Sequence, residues 1–361
     1  MATTQSTGFQ ADVDLLKSTV AQIVAATGVP AEDAALVADH LVLADLRGVS
    51  THGITRLPIY AERIRRGLVT ADPQMRITRP MPAAAHIDGD NGLGFLVMRC
   101  ATFEAIESAA QCGIGIASVS NSTHFGMAAA YLLQAVEAGY AAIIFTNASP
   151  SMPIWGGKTP FLGTSPFAFG APGGQDSPSI ILDMATSVVA RGKIRRAAQK
   201  NEPIPAGWAL DADGHETTDA RLAYEGIVLP LGGPKGSGLS LMMEVVAGVM
   251  SGAAYGGQVG DQYRALDRPQ NVGHSVIAFK PDLFLDRRSY DSRMDQLVGQ
   301  AKACPRLDEA QPIQMPGEPE AARMAARLRD GIPLGADDLT MLGEQAKLAG
   351  VILDINFLRK D

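Results

Sequence analysis

The stretch from Val119 to Pro172 sets a histidine between a strand and a helix, and this constrains the fold more than any other feature of the chain. The run leading into it, Gly-Ile-Gly-Ile-Ala-Ser-Val-Ser from Gly113, is rich in β-branched residues and flanked by glycine. It turns through Asn121-Ser122-Thr123-His124 and, after Gly126, gives way to helical spacing from about Met127. A second apolar strand, Ala141 to Asn147, follows, and then a loop laden with glycine and proline. Alternation of this kind specifies an α/β fold, and such folds keep their ligand-binding groups at strand-to-helix junctions. A helix starting near Met127 would turn unpaired amides and the positive end of its dipole towards His124, which suits an anion. A purely structural role for the imidazole is the alternative.

Residues 12 to 67 read as three helices. Leu15, Leu16, Val20, Ile23 and Val24 keep helical spacing up to Gly28, and Pro30 suits the first turn of the next helix. That second helix, through Ala34, Val37, Ala38 and Leu41, ends in Arg47-Gly48-Val49-Ser50-Thr51-His52-Gly53. Ser50 and Thr51 are expected to cap the third helix, which carries Arg56, Leu57, Tyr60 and Ile64. Arg56 lies about one turn beyond His52, so guanidinium and imidazole can share a side. A guanidinium grips a carboxylate bidentately, and a neighbouring imidazole can exchange a proton with an α-oxygen. A capping histidine beside a surface ion pair is the competing reading.

Short strands around residues 75–78 and 83–88 and a long helix from Phe95 to Ala110 follow. Asp88-Gly89-Asp90 lacks the calcium-loop register and reads as a turn. Gly92-Leu93-Gly94 and Gly113-Ile114-Gly115 each begin like a dinucleotide fingerprint without supplying the third glycine, so a Rossmann motif is absent. Farther on, residues 179–199 read as a buried strand, a turn at Asp183-Met184-Ala185, and a helix capped by Thr186 or Ser187. Asp183 at the strand's end is placed either for a ligand or for capping a helix. Asp213-Gly214 forms a hairpin-like turn. Leu231 to Gly238 is a glycine-rich turn feeding a helix; Lys235 precedes Gly236, the reverse of a Walker A order, so nucleotide hydrolysis is rejected while a cradle for a dinucleotide phosphate stays open. Residues 251–271 read as a long loop, a candidate lid, followed by a strand, a helix to about Cys304, and helices starting at Glu318 and Ala336.

Bulk properties remove several classes. A net charge of −7 with one short basic cluster, Arg63, Arg65 and Arg66, offers no nucleic-acid surface. Cys100, Cys112 and Cys304 match neither a disulfide framework nor a zinc site, and the six histidines show no metal-ligand spacing, so no metal is expected. Without a leader-like amino terminus or an apolar run of about 20 residues, the expectation is a cytoplasmic protein with no membrane partner.

Together RGVSTHGITR, DGDNGLG, NSTHFG, TNASPSMPIWGG, LGTSPFAFGAP, LDMATSVVARGKI, IPAGWALDADGHETTD, LPLGGPKGSGL and MPGEPE resemble, in order and spacing over nearly the whole chain, the malate/L-lactate dehydrogenase family of the type-2 group. This group also holds ureidoglycolate and sulfolactate dehydrogenases, diketogulonate reductase and cyclic imino acid reductases. The resemblance implies an α/β protein with a non-Rossmann NAD(P)-binding domain around a mixed sheet (residues 119–275), a second α/β domain built from both termini (71–118 with 276–361), and an N-terminal helical segment (1–70). It implies a homodimer, NAD or NADP as cofactor, and a small 2-hydroxy or 2-keto acid as substrate. By position His52 and His124 resemble the family's site histidines and Arg56 its carboxylate-binding arginine, with Thr51 supplying a hydroxyl beside His52. Phe125, Gly126, Asp183, Met184, Ala185, Lys235, Gly236, Pro316, Gly317 and Glu318, together with His124, fall where the family contacts the cofactor.

Three departures stand out. Ser50-Thr51 replaces the usual Asp-Ser before the histidine, and Thr164-Ser165-Pro166 replaces Thr-Asn-Pro. Lys193 occupies the position where imino acid reductases place an aspartate, which favours a hydroxyacid dehydrogenase. Reduction of a cyclic imine and a cofactor-binding regulator without catalysis are the alternatives.

Overall fold

Why the chain folds as it does is clearest at its start. The computed structural model describes residues 9–353 and 358–360. Strand β1 (Phe9–Ala11) leads into α1 (Val13–Ala25), whose Asp12 side chain accepts the amides of Asp14 and Leu15. Leu16, Val20, Ile23 and Val24 form one buried stripe, packed against α2 (Ala31–Leu46). Two 3-10 turns, Ser50–His52 and Ile54–Arg56, then lead to α3 (Leu57–Arg65).

Next come β2 (Arg76–Met81), β3 (Ala84–Asp88), α4 (Gly94–Cys112), β4 (Ile114–Ser122), α5 (Ala129–Glu137), β5 (Ala141–Thr146), β6 (Phe167–Ala171) and β7 (Ile180–Met184). A smaller unit of α6 (Arg191–Lys200), β8 (Ala209–Leu210), α7 (Ala220–Glu225) and β9 (Ile227–Val228) packs around its own core of Ile194, Ile204, Ala209 and Val228. Helix α8 (Pro234–Met243) runs on as a π-helical segment, Glu244–Val249. The chain closes with β10 (Val272–Phe279), α9 (Arg287–Lys302), α10 (Glu318–Asp330), β11 (Ile332–Leu334), α11 (Ala336–Ala349) and β12 (Leu358–Lys360).

The central sheet is mixed and seven-stranded, in the order β2-β3-β4-β10-β5-β6-β7, with β3 and β4 parallel and the other pairs antiparallel. The α/β expectation with a mixed sheet holds. Strand β10 inserts between β4 and β5, so α5 carries the chain over a strand supplied from far downstream. Near its start β10 shifts register between Val272 and His274, opposite the end of β4, and such irregularities re-aim side chains. The chain's two ends meet where β1 pairs antiparallel with β11 and β12. The expected domain limits at 118/119 and 275/276 fall inside β4 and β10.

Three local expectations are corrected. Ser50 and Thr51 cap nothing, because α3 begins only at Leu57. The buried Asp45 carboxylate on α2 instead accepts the Ile54 amide at 2.8 Å. It packs so tightly on Gly53 that a Cβ there would lie 2.1 Å from its oxygen, which is why this turn takes glycine. Thr186 and Ser187 do not cap α6, which starts at Arg191; their hydroxyls bond to Ser165 O and Val189 O. Lys235 and Gly236 lie in the first turn of α8 rather than in a loop.

Candidate active site

One face of α3 and of the turns before it builds the first wall. Arg56, Tyr60 and Arg63 recur at i, i+4 and i+7, so all three look the same way. They meet the 260–271 loop. Arg56 Nε donates to Thr51 O at 2.7 Å and Nη1 to Gln262 Oε1 at 2.8 Å, while its guanidinium lies 5.6 Å from the Tyr263 ring centroid. Arg63, fully buried, donates to the carbonyls of Gln262, Ala265 and Arg268, clamping that loop by its backbone. The Nη2 atom of Arg56 makes no hydrogen bond among the described residues.

The two histidines named from the sequence come together. Their rings stack with centroids 5.6 Å apart and planes 20° apart. At His52, Nδ1 pairs with the Thr51 hydroxyl at 3.0 Å. At His124, Nδ1 faces the Tyr60 hydroxyl at 2.7 Å and accepts the Gly126 amide at 3.2 Å. The left-handed backbone of Gly126, φ 80°, brings that amide back onto the ring. An amide can only donate, so the hydrogen-bond pattern assigns the His124 ring proton to Nε2. The Thr51 hydroxyl can donate or accept, so His52 is free to present a basic Nε2. Neither Nε2 has a partner among the described residues.

Both histidines are half-buried. Burial, and after it the Arg56 guanidinium, pushes the His52 imidazole down to about 3. The same two causes, then His52 and His274, hold His124 well below the ordinary histidine value. Both imidazoles, titrating well below the ordinary histidine value of about 6.5, are therefore neutral at neutral pH. Among the described residues no carboxylate acts on either ring to raise it. Burial pushes the Tyr60 phenol up, so that group stays protonated and donates.

The residues expected at the cofactor string along β7 and its exit. Asp183 is the penultimate residue of the strand, Pro316 O accepts the Ile181 amide at 2.9 Å, and Gly236 packs against Thr186 O, which accepts the Leu231 amide. Asp183 is exposed to solvent, and Met184 and Ala185 are half-buried beside it. The surrounding protein raises the Asp183 carboxyl by desolvation, opposed by the Ala129 amide and by Arg47.

The expected anion cradles are closed. Asp183 Oδ2 accepts the Ala129 amide at 2.8 Å, so the capping reading of this aspartate is realised and the start of α5 is taken. The first amides of α8, on Lys235, Gly236 and Ser237, bond to Gly232 O, Leu231 O and Gly233 O. The exposed Lys235 ammonium has no acid within ion-pair distance among the described residues. The Phe125 ring is buried between His274 and Tyr131, leaving only backbone for a ligand. Glu318 is engaged by Lys302 and by the Met315 amide, and Gly317, φ 94°, turns the chain into α10. Asp211, Asp213 and His215, the one grouping of possible metal ligands among the described residues, sit at the expected hairpin turn, where Asp211 already accepts the amides of Asp213 and His215.

Sequence reasoning missed Tyr60, Gln262 and Gln270, whose Oε1 accepts the His124 amide at 3.4 Å. Tyr60 carried a signal, its place one turn after Arg56; the glutamines carried none beyond membership of a long loop.

The profile of the family described as malate/L-lactate dehydrogenase matches residues 11–342. The chain belongs to the malate/L-lactate dehydrogenase family. It is accordingly an oxidoreductase. It is 38% identical to the malate dehydrogenase of Pyrococcus horikoshii over 346 residues, 94% of this chain and 95% of that one. It superposes on the sulfolactate dehydrogenase of Methanocaldococcus jannaschii with a TM-score of 0.88 at 35% identity, covering 95% and 98% of the two chains. A Δ1-piperideine-2-carboxylate reductase from Pseudomonas syringae gives 0.82 at 27% identity, over 93% and 99%. Two relatives carry the cofactor in their names: the ureidoglycolate dehydrogenase (NAD(+)) of Escherichia coli, 33% identical over 86% of this chain and 88% of that one, and a (2R)-3-sulfolactate dehydrogenase (NADP(+)) of Chromohalobacter salexigens, 37% identical over 72% and 78%. Among the described residues no helix is long and apolar enough to cross a membrane.

Proposed function

We propose that this oxidoreductase moves a hydride between NAD(P) and C2 of a small 2-hydroxy/2-keto acid. The observation that carries this reading is the convergence of two neutral imidazoles, each with only Nε2 open, on the side of the Arg56 guanidinium. A nicotinamide dinucleotide would lie along Asp183 to Ala185, where the Pro316–Glu318 loop pairs with the same strand through Ile181, Gly236 packs against Thr186 O and Lys235 is a free cation. These residues would hold it. When bound, it supplies or takes the hydride.

Arg56 anchors the substrate carboxylate with its open Nη2. His124, protonated on Nε2, donates a hydrogen bond to the C2 oxygen and stabilises negative charge developing there. His52 takes the hydroxyl proton on Nε2 during oxidation and returns it during reduction, with Nδ1–H donating to Thr51. Tyr60 and the Gly126 amide lock the His124 tautomer, and the Arg63-clamped loop excludes water over Arg56.

Nicotinamide absorbance with NADH or NADPH and a panel of 2-keto acids tests this. Turnover with several of them, lost in His52→Ala with cofactor binding kept, is the expected result. Turnover of cyclic imino acids alone would place the protein with imine reductases, a reading favoured by the piperideine-carboxylate neighbour. Tight NADH binding with no turnover of any acid or imine would leave a regulator.

A further inference from the structure

Helix α6 brings a second cation to this wall. Its first turn lies against the His52 turn: a Cβ on Gly192 would sit 3.1 Å from Thr51 Cγ2. One turn on, the Arg195 guanidinium lies 5.3 Å from the centroid of the Tyr263 ring, the same ring that Arg56 approaches to 5.6 Å. Arg195 is half-buried and has neither a carboxylate nor a hydrogen-bond acceptor among the described residues. Its neighbour Arg191 shows what a structural arginine looks like here, stacking on Tyr224 and donating to that residue's carbonyl at 3.0 Å. Arg195 has the ring without the acceptor.

We propose that Arg195 is a specificity-determining residue that holds a second anionic group, a carboxylate or sulfonate, at the end of the substrate remote from Arg56. This rests on the hydroxyacid reading above and narrows its substrate class to acids with two anionic ends. Tyr263 sets the spacing, because one ring cannot move without carrying both cations' support with it. The acids of the 260–271 loop, Asp261 and Asp267, do not neutralise this pair: neither Arg56 nor Arg195 has a carboxylate within ion-pair distance among the described residues. A planar guanidinium fork with open donors favours a carboxylate or sulfonate over a neutral end.

The test compares oxaloacetate and pyruvate as substrates of the full-length enzyme and of Arg195→Ala, Arg195→Lys and Arg195→Glu. The wild type is expected to prefer oxaloacetate. In Arg195→Ala the ratio of kcat/KM for oxaloacetate to that for pyruvate falls at least tenfold, mostly through KM, and Arg195→Lys recovers part of it. Arg195→Glu reverses the preference. Equal losses on both substrates, an unaltered ratio, or a rise confined to the KM of NADPH would overturn the inference while leaving the hydroxyacid reading intact. Turnover of neither acid by the wild type would remove both.

Discussion

Two regions of the molecule looked equally suited to bind anions, and only one keeps several side-chain donors open. At the starts of α5 and α8 the chain has helix amino termini, glycines and a lysine, yet the amides are taken by Asp183 or by the turn's own carbonyls. Along α3 and the 260–271 loop, Arg56 keeps an open Nη2, His52 and His124 each an open Nε2, and Arg195 an open guanidinium. A folded chain satisfies its buried polar groups wherever it can. The open groups of the second region are those we assign to a ligand.

The comparison can be broken first at Arg56. Arg56→Ala is expected to lower kcat/KM for any 2-keto acid by roughly 10²–10³-fold, since the charge-assisted contact from Nη2 is lost; an effect below tenfold would move the carboxylate elsewhere. His52→Ala and His124→Ala should each cost about 10²-fold or more in kcat. They should differ in pH dependence: with His52 held neutral far into acid, wild-type oxidation shows no acid limb near pH 6.5, and one appearing there would contradict the burial that depresses this ring. Tyr60→Phe sharpens the tautomer assignment, with a loss near tenfold in kcat and little change in KM. Lys235→Ala tests the closed region and should raise the cofactor KM only a few-fold, because one solvated ammonium and no amide cradle is at stake.

The smallest effect is on stability. Burial raises the Asp45 carboxyl to about 7, so the folded chain holds that proton more tightly than the unfolded one, whose aspartate has a pKa near 3.8. Stability from this group is complete below the unfolded value and is lost as pH rises through about 7. Asp45→Asn keeps an acceptor for Ile54 and cannot ionise, so its unfolding free energy relative to wild type should climb from pH 5 to pH 8, by on the order of 2 kcal/mol. The neutral His274, pushed down to about 3 by burial, acts with opposite sign, losing stability as pH falls below about 6.5.

How much was legible follows the same divide. Helical and strand periodicities placed α1, α2, α4, β4, β5 and α11 because their apolar spacing reports burial directly. The pairing of His52 with Arg56 and the junction at His124 were readable from local spacing, and their convergence followed from the family resemblance. What stayed hidden is long-range: Asp183 reaching α5, Asp45 replacing the Ser50-Thr51 cap, and Gln262 closing on Arg56 from 206 residues away. Helix starts were misjudged where hydroxyl residues found other partners, as Thr186 and Ser187 did. Local sequence states which donors exist; only the fold states which are already spent.

The most direct test is a crystal structure with NADH and oxamate, an unreactive isostere of a 2-keto acid. The account predicts the oxamate carboxylate on the Arg56 guanidinium and its carbonyl oxygen within hydrogen-bond reach of Nε2 of both His52 and His124. Oxamate bound at the start of α5 or α8, or a cleft at His124 filled by protein side chains with the ligand outside it, would contradict it.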